Sequence, residues 1–137
     1  MESNLDITRR LFSAFNEEGV EGVLPYYADD CEVYDPDVPG NRSYRGKDGL
    51  RTFLNMILMG TEQTQIRDYA LLPAGDRVVA LNRTYFRGEG GGPEVEVRDA
   101  HTLTFRDGKV VYWRLYIDRA EALSDAGLDP GLAAVNS

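Results

Sequence analysis

Apolar positions follow two rhythms along this chain, a helical one in the first half and an alternating one in the second. From Leu5 to about Asn16, Ile7, Leu11, Phe12 and Phe15 recur at helical spacing, with Ser3 or Asn4 placed to cap the start. Glu17, Glu18 and Gly19 interrupt that run. A second short helix carries Val20, Val23, Leu24 and Tyr27 on one side. Cys31-Glu32-Val33-Tyr34-Asp35 then alternates and is stopped by Pro36, the pattern of a short strand. A loop rich in turn residues, including Pro39, Gly40, Gly46 and Gly49, spans Asp37 to Gly49. Leu50, Phe53, Leu54, Ile57 and Leu58 define a third helix ending at Gly60.

Beyond Gly60 the pattern is mostly that of a sheet. Strands are expected over about 64–72, 78–87, 94–105 and 109–117, separated by Pro73-Ala74-Gly75-Asp76, the glycine-rich segment 88–93 and Arg106-Asp107-Gly108. A last short helix follows from Arg119 to Ala126. Helices, one strand, a helix and then a meander make an α+β layout, with helices on one face of a mainly antiparallel sheet. Strands of about ten residues usually bend. The expectation is therefore a strongly curved sheet enclosing a pocket under the helices. With 137 residues and no repeat or long linker, the chain reads as a single domain, its core over about 5–125 and a short tail after it.

Composition narrows the chemistry. Fifteen Lys and Arg against 23 Asp and Glu give a formal charge of −8, which argues against nucleic acid or an anionic membrane as partner. A single cysteine, Cys31, excludes Cys-cluster metal sites, and a single histidine, His101, excludes every centre that needs two. No cofactor is expected. The first residues lack the basic and apolar regions of a signal peptide, and no apolar run is long enough to span a bilayer, so a cytoplasmic location is expected.

Tyr27-Ala28-Asp29-Asp30-Cys31-Glu32-Val33-Tyr34-Asp35-Pro36, with Tyr44-Arg45-Gly46-Lys47-Asp48-Gly49-Leu50 and Phe105-Arg106-Asp107-Gly108-Lys109-Val110, resembles the SnoaL-like branch of the NTF2-like superfamily. The resemblance implies a cone of helices closed over a strongly curved sheet, often dimeric through the outer sheet face. It also implies a pocket for a small hydrophobic molecule. By resemblance to ketosteroid isomerases, Asp35 holds the position of the general base, while the two oxyanion-stabilising positions fall on Leu11 and His101. Limonene-type epoxide hydrolases are similar too. Of their Asp-Arg-Asp arrangement, Arg83 remains, beside Tyr85, and Leu115 stands where the last-strand aspartate would be. Polyketide cyclases of the branch use a histidine and an aspartate, which His101 and Asp35 would supply.

Period-two alternation puts Cys31, Val33 and Asp35 on one inward face, and a carboxylate there would have its pKa raised by desolvation. Asp35 could equally cap the turn at Pro36. His101 shares a face with Asp99, Leu103 and Phe105. Arg83 is read with Val79, Leu81 and Tyr85 as inward, either holding negative charge on a ligand or pairing with Asp35 or Asp99. Trp113, Tyr85, Leu115, Phe12, Phe53 and Leu11 are the expected pocket walls. The resulting expectation is a cofactor-independent acid/base enzyme, of isomerase, cyclase or dehydratase type, acting on a small carbonyl compound. Asp35, His101 and Arg83 would carry the chemistry. An epoxide hydrolase or hydratase, and a binding module without catalysis, are the alternatives.

Overall fold

A computed structural model describes residues 2–38, 40 and 43–134. Pro39, one of the predicted turn residues, lies outside them. Helix α1 (Asn4–Glu18) begins where the Ser3 hydroxyl accepts the Asp6 amide, and it buries Ile7, Leu11 and Phe12. After the short helix α2 (Val20–Val23) and a 3₁₀ turn at Leu24–Tyr26 comes strand β1 (Tyr27–Tyr34). The loop read between Asp37 and Gly49 contains a short strand, β2 (Ser43–Arg45), and the first turn of α3 (Gly46–Ile57). Three residues carry too little periodicity to announce a strand. Four long strands follow: β3 (Thr61–Ala74), β4 (Arg77–Gly88), β5 (Val95–Arg106) and β6 (Lys109–Tyr116). Between β5 and β6 both loop residues, Asp107 and Gly108, have positive φ (52° and 78°), the geometry of a tight hairpin turn. Asp118 caps α4 (Arg119–Asp125) by accepting the amides of Ala120 and Glu121.

The strands form one six-stranded sheet in the order β2-β1-β6-β5-β4-β3, antiparallel except for the parallel β1–β6 pair. The strongly curved, cone-like sheet expected from the sequence is not what forms. The sheet is mixed and mostly antiparallel as expected, but open, with β2 and β3 as free edges, and it is not strongly curled. The central β4–β5 ladder runs from Arg77↔Thr104 to Phe86↔Val95 without a register shift, whereas shifts occur in β3–β4, β1–β6 and at Thr104/Phe105. Strand length alone does not bend a sheet. Curvature is concentrated at bulges, and this sheet has none across its central pair.

Both faces are covered. On one, α1 and α3 pack Phe12, Leu50, Phe53 and Leu54 against Val78, Ala80, Leu103 and Trp113. On the other, Ala122 and Leu123 of α4 pack on Val79, Leu81, Ala100 and Tyr116. The Asn16 side chain ties α1 to the edge strand, donating to the Ile66 carbonyl at 2.7 Å and accepting the Ile66 amide at 2.8 Å. That bond pair sits where the β3 register shifts, so it satisfies backbone groups at an irregular edge. Among the described residues no helix is long and apolar enough to cross a membrane.

Candidate functional site

The helices standing over the sheet leave a cavity of about 120 Å³ on the α1/α3 face. Its walls are Leu11 and Phe12 of α1, Leu54 and Ile57 of α3, Ile66 of β3, Thr84 and Phe86 of β4, Leu103 of β5, and Trp113 and Leu115 of β6. An apolar cavity of about 150 Å³ accommodates benzene, so this one is on the scale of a single six-membered ring. Asp99 and His101, neighbours on the same face of β5, bring a carboxyl and an imidazole into the lining.

His101 is 7% exposed and held on three sides. Its Nε2 is 3.1 Å from Asp99 Oδ2, its Nδ1 is 3.3 Å from Asn82 Nδ2, and its ring packs edge-on to Trp113 at 5.4 Å. Around this residue hydrogen-bonding capacity is left over. Of five buried side-chain polar atoms without a partner among the described residues, three belong to these neighbours: Asn82 Oδ1, Asp99 Oδ1 and Trp113 Nε1. A core normally satisfies such groups, and leaving one unmet costs about 1–3 kcal/mol. The backbone beneath the pair is clamped from the opposite face. Arg119, 8% exposed, donates from Nη2 to the Asn82 carbonyl at 2.7 Å and from Nε to the Asp99 carbonyl at 3.3 Å. Burial lowers the Arg119 pKa, from a starting value so high that the charge remains.

Asp35 lies one residue past the end of β1, buried, with its Oδ1 accepting the Asp37 amide at 3.1 Å. The turn-capping alternative describes this contact. Burial raises the pKa of its carboxyl, opposed by that hydrogen bond and by the nearby His101, and reinforced by Asp37 and Asp99. Tyr34 pairs with Arg114 and His101 with Leu115, so Leu115 stands between Asp35 and His101, two strand spacings (about 10 Å) apart. Asp35 therefore feels the pair electrostatically without lining the cavity. Leu115 also borders an outer groove formed by Pro36, Asp37, Arg114, Ile117, Asp118 and Glu121, and it is the residue the two spaces share.

The expected inward face of β4 is inverted. Thr84 and Phe86 face the cavity, while Arg83 and Tyr85 lie on the opposite side. There Arg83 is 3.8 Å from Glu96, and Arg67 stacks over the Tyr85 ring at 4.5 Å. The run Val78-Val79-Ala80-Leu81 is apolar on both sides because helices cover both faces, so alternation carried no information about which side was inward. Leu11, Phe12, Trp113 and Leu115 do line the cavity. Phe53 is fully buried behind it, edge-on to Trp113 at 5.5 Å. Three residues of the site were missed. Tyr27 lines the cavity, and burial, helped by Cys31, pushes its phenol far up, so it remains a donor. Asp99 entered the sequence reading only as a neighbour of His101 and a possible partner of Arg83. Asn82, fully buried, was detectable as an amide directly after the apolar run Val78-Val79-Ala80-Leu81.

Comparison with known proteins places this geometry in a family. A family profile described as a SnoaL-like domain matches residues 8–113. Among solved structures, an NTF2-like protein of unknown function from Burkholderia pseudomallei is 21% identical over 90% of this chain and 97% of its own, with a TM-score of 0.74. A protein named as a candidate polyketide cyclase from Xanthomonas campestris pv. campestris is 18% identical over 90% and 96%, with a TM-score of 0.71. A ketosteroid isomerase-like fold from Catenulispora acidiphila, in complex with trimethylamine, is 16% identical over 92% and 95%, also with a TM-score of 0.71. At these identities the structures share the fold alone. No curated protein sequence matches the chain.

Proposed function

The chain belongs to the SnoaL-like family, and from that premise we propose that it moves a proton on a small carbonyl compound of about one ring. The pair Asp99–His101 in the cavity wall would carry the reaction. The observation that carries this reading is the gathering of unmet hydrogen-bonding groups round His101, in a cavity whose other walls are mostly apolar. The apolar walls would hold a ring, and the unmet atoms of the two lining residues, Asp99 Oδ1 and Trp113 Nε1, would meet polar atoms of a ligand.

The chemistry follows from the contact between Asp99 and His101. The Asp99 carboxylate removes a proton from the carbon next to the carbonyl. The electrons of that C–H bond form a carbon–carbon double bond, and the carbonyl π electrons move to oxygen. Once Asp99 holds the proton, it ceases to be a strong acceptor for His101 Nε2–H, 3.1 Å away. That N–H is then available to donate to the oxygen, where charge has developed. Returning the proton to a different carbon migrates a double bond. Asp35, behind Leu115, changes the local field through its own charge and does not touch the substrate. Arg83, on the far face, has no part in this scheme.

A second reading, binding without turnover, is favoured by the fact that both nitrogens of His101 already have partners. The two separate in one experiment. 3-Cyclohexenone is incubated with the protein, and the conjugated product, 2-cyclohexenone, is followed by ultraviolet absorbance. The proposal expects acceleration over buffer, reduced about 10²-fold or more in Asp99→Asn and His101→Gln. Saturable quenching of Trp113 fluorescence by such enones, with no acceleration in any, would overturn it in favour of binding.

A further inference from the structure

Asn82 is an uncommon residue to find at the centre of a sheet. It is fully buried on β4, directly opposite Asp99 in the β4–β5 ladder. It spends its amide nitrogen on His101 Nδ1 and leaves Oδ1 buried without a partner. A hydrophobic residue there would avoid the unmet acceptor, so the amide needs a reason.

An amide NH₂ can only donate. For Asn82 Nδ2 to bond His101 Nδ1, that ring nitrogen must carry a lone pair, and the proton of the neutral imidazole must then sit on Nε2. Nε2 is the nitrogen facing Asp99 Oδ2, which accepts it. We infer that Asn82 is a positioning residue that fixes the Nε2–H tautomer of His101. The inference rests on the proposed function for its catalytic meaning, since that scheme requires the proton on Nε2, but the tautomer itself does not depend on turnover.

The unmet Oδ1 belongs to the same device. If His101 takes up a second proton, Nδ1–H needs an acceptor, and a half-turn of the Asn82 amide brings Oδ1 to it. One side chain thus serves both protonation states by rotation. Arg119 keeps the rest still. Its guanidinium holds the backbone carbonyls of Asn82 and Asp99 together, so the two residues that grip the ring from either nitrogen share one clamp. The charged and titratable groups near the ring are Asp99 on β5, Asp35 after β1, Tyr27 at the start of β1 and Arg119 behind the sheet. The partner of Nδ1 is the Asn82 amide.

The chain has one histidine, so imidazole nitrogen signals need no assignment when the protein carries no histidine tag. Long-range ¹H–¹⁵N spectra of the ¹⁵N-histidine-labelled wild type, recorded where the ring is neutral, are expected to show Nδ1 unprotonated and Nε2 protonated. In Asn82→Asp the carboxylate is an acceptor, and Nδ1 should become the protonated nitrogen. In Asn82→Leu, with neither donor nor acceptor, Asp99 alone holds the Nε2 proton, and the Nδ1–H tautomer should become detectable. A protonated Nδ1 in the neutral wild type overturns the inference, and so does an unchanged tautomer in a folded Asn82 variant. The wild-type spectrum can overturn it even if neither variant folds. An Nε2–H ring in a protein without proton-transfer activity would leave the positioning intact and remove the proposed reaction. Activity with an Nδ1–H ring would overturn the positioning and, with it, the part given to His101, leaving Asp99 alone as the base.

Discussion

Replacing Arg119 by methionine removes the clamp beneath the candidate site while keeping most of the side chain's apolar stem. Two backbone carbonyls then lose a charged donor. A hydrogen bond to a charged group contributes about 1.5–3 kcal/mol. The 2.7 Å contact to the Asn82 carbonyl should count near that range, and the 3.3 Å contact to the Asp99 carbonyl for less. Against this stands the cost of burying a guanidinium, visible in its lowered pKa. The balance is a loss of about 2–3 kcal/mol, which for a chain of this size lowers Tm by roughly 8–12 °C. Urea denaturation followed by circular dichroism measures it directly. Arg119→Lys, which keeps the charge but cannot reach both carbonyls in one plane, should recover about half of the loss. A Met variant within about 0.5 kcal/mol of wild type would refute the clamp. A Lys variant as stable as wild type would show that charge alone matters and that bridging the two carbonyls does not.

Other consequences are equally specific. The folded-state pKa of Asp35 lies above its unfolded value, so its contribution to stability is fully present below the unfolded pKa and is lost as pH rises through the folded one. Asp35→Asn keeps an acceptor for the Asp37 amide; it should be more stable than wild type at neutral pH, with the difference shrinking toward about pH 4, read from urea midpoints. Phe53→Ala removes a fully buried ring packed on Tyr44 and Trp113 at 5.4 and 5.5 Å, and should cost about 3–5 kcal/mol in the same assay. Leu115→Ala should join the cavity to the outer groove, so that two-ring ketones quench Trp113 fluorescence in the variant and only one-ring ketones do so in wild type.

Much of this molecule is legible in its sequence. Ile7, Leu11 and Phe12 announced α1, and the turn residues Gly75-Asp76 and Asp107-Gly108 marked where long strands reverse, because local periodicity and turn chemistry are written in neighbouring residues. His101 and Asp99 were correctly placed on one face. Failure came where the answer depended on the far side of the sheet. With α4 covering Val79 and Leu81, both faces of β4 became apolar, and Arg83 and Tyr85 were assigned to the wrong one. Curvature was likewise unreadable, since it depends on where ladders shift register between strands distant in sequence. The role of Asn82 depended on a partner 19 residues away, which no local pattern specifies.

The central claim is that the Asp99–His101 pair removes a proton from carbon beside a carbonyl. Isomerisation, ring closure and elimination would all begin with that step, so exchange into solvent tests it without knowledge of the natural product. Cyclohexanone in D₂O, followed by ¹H NMR, should lose its α-proton signal faster with the wild-type protein than in buffer. Asp99→Asn should return the rate to that of buffer. Equal rates with and without the wild-type protein, or an acceleration that survives in folded Asp99→Asn and His101→Gln, would contradict the account.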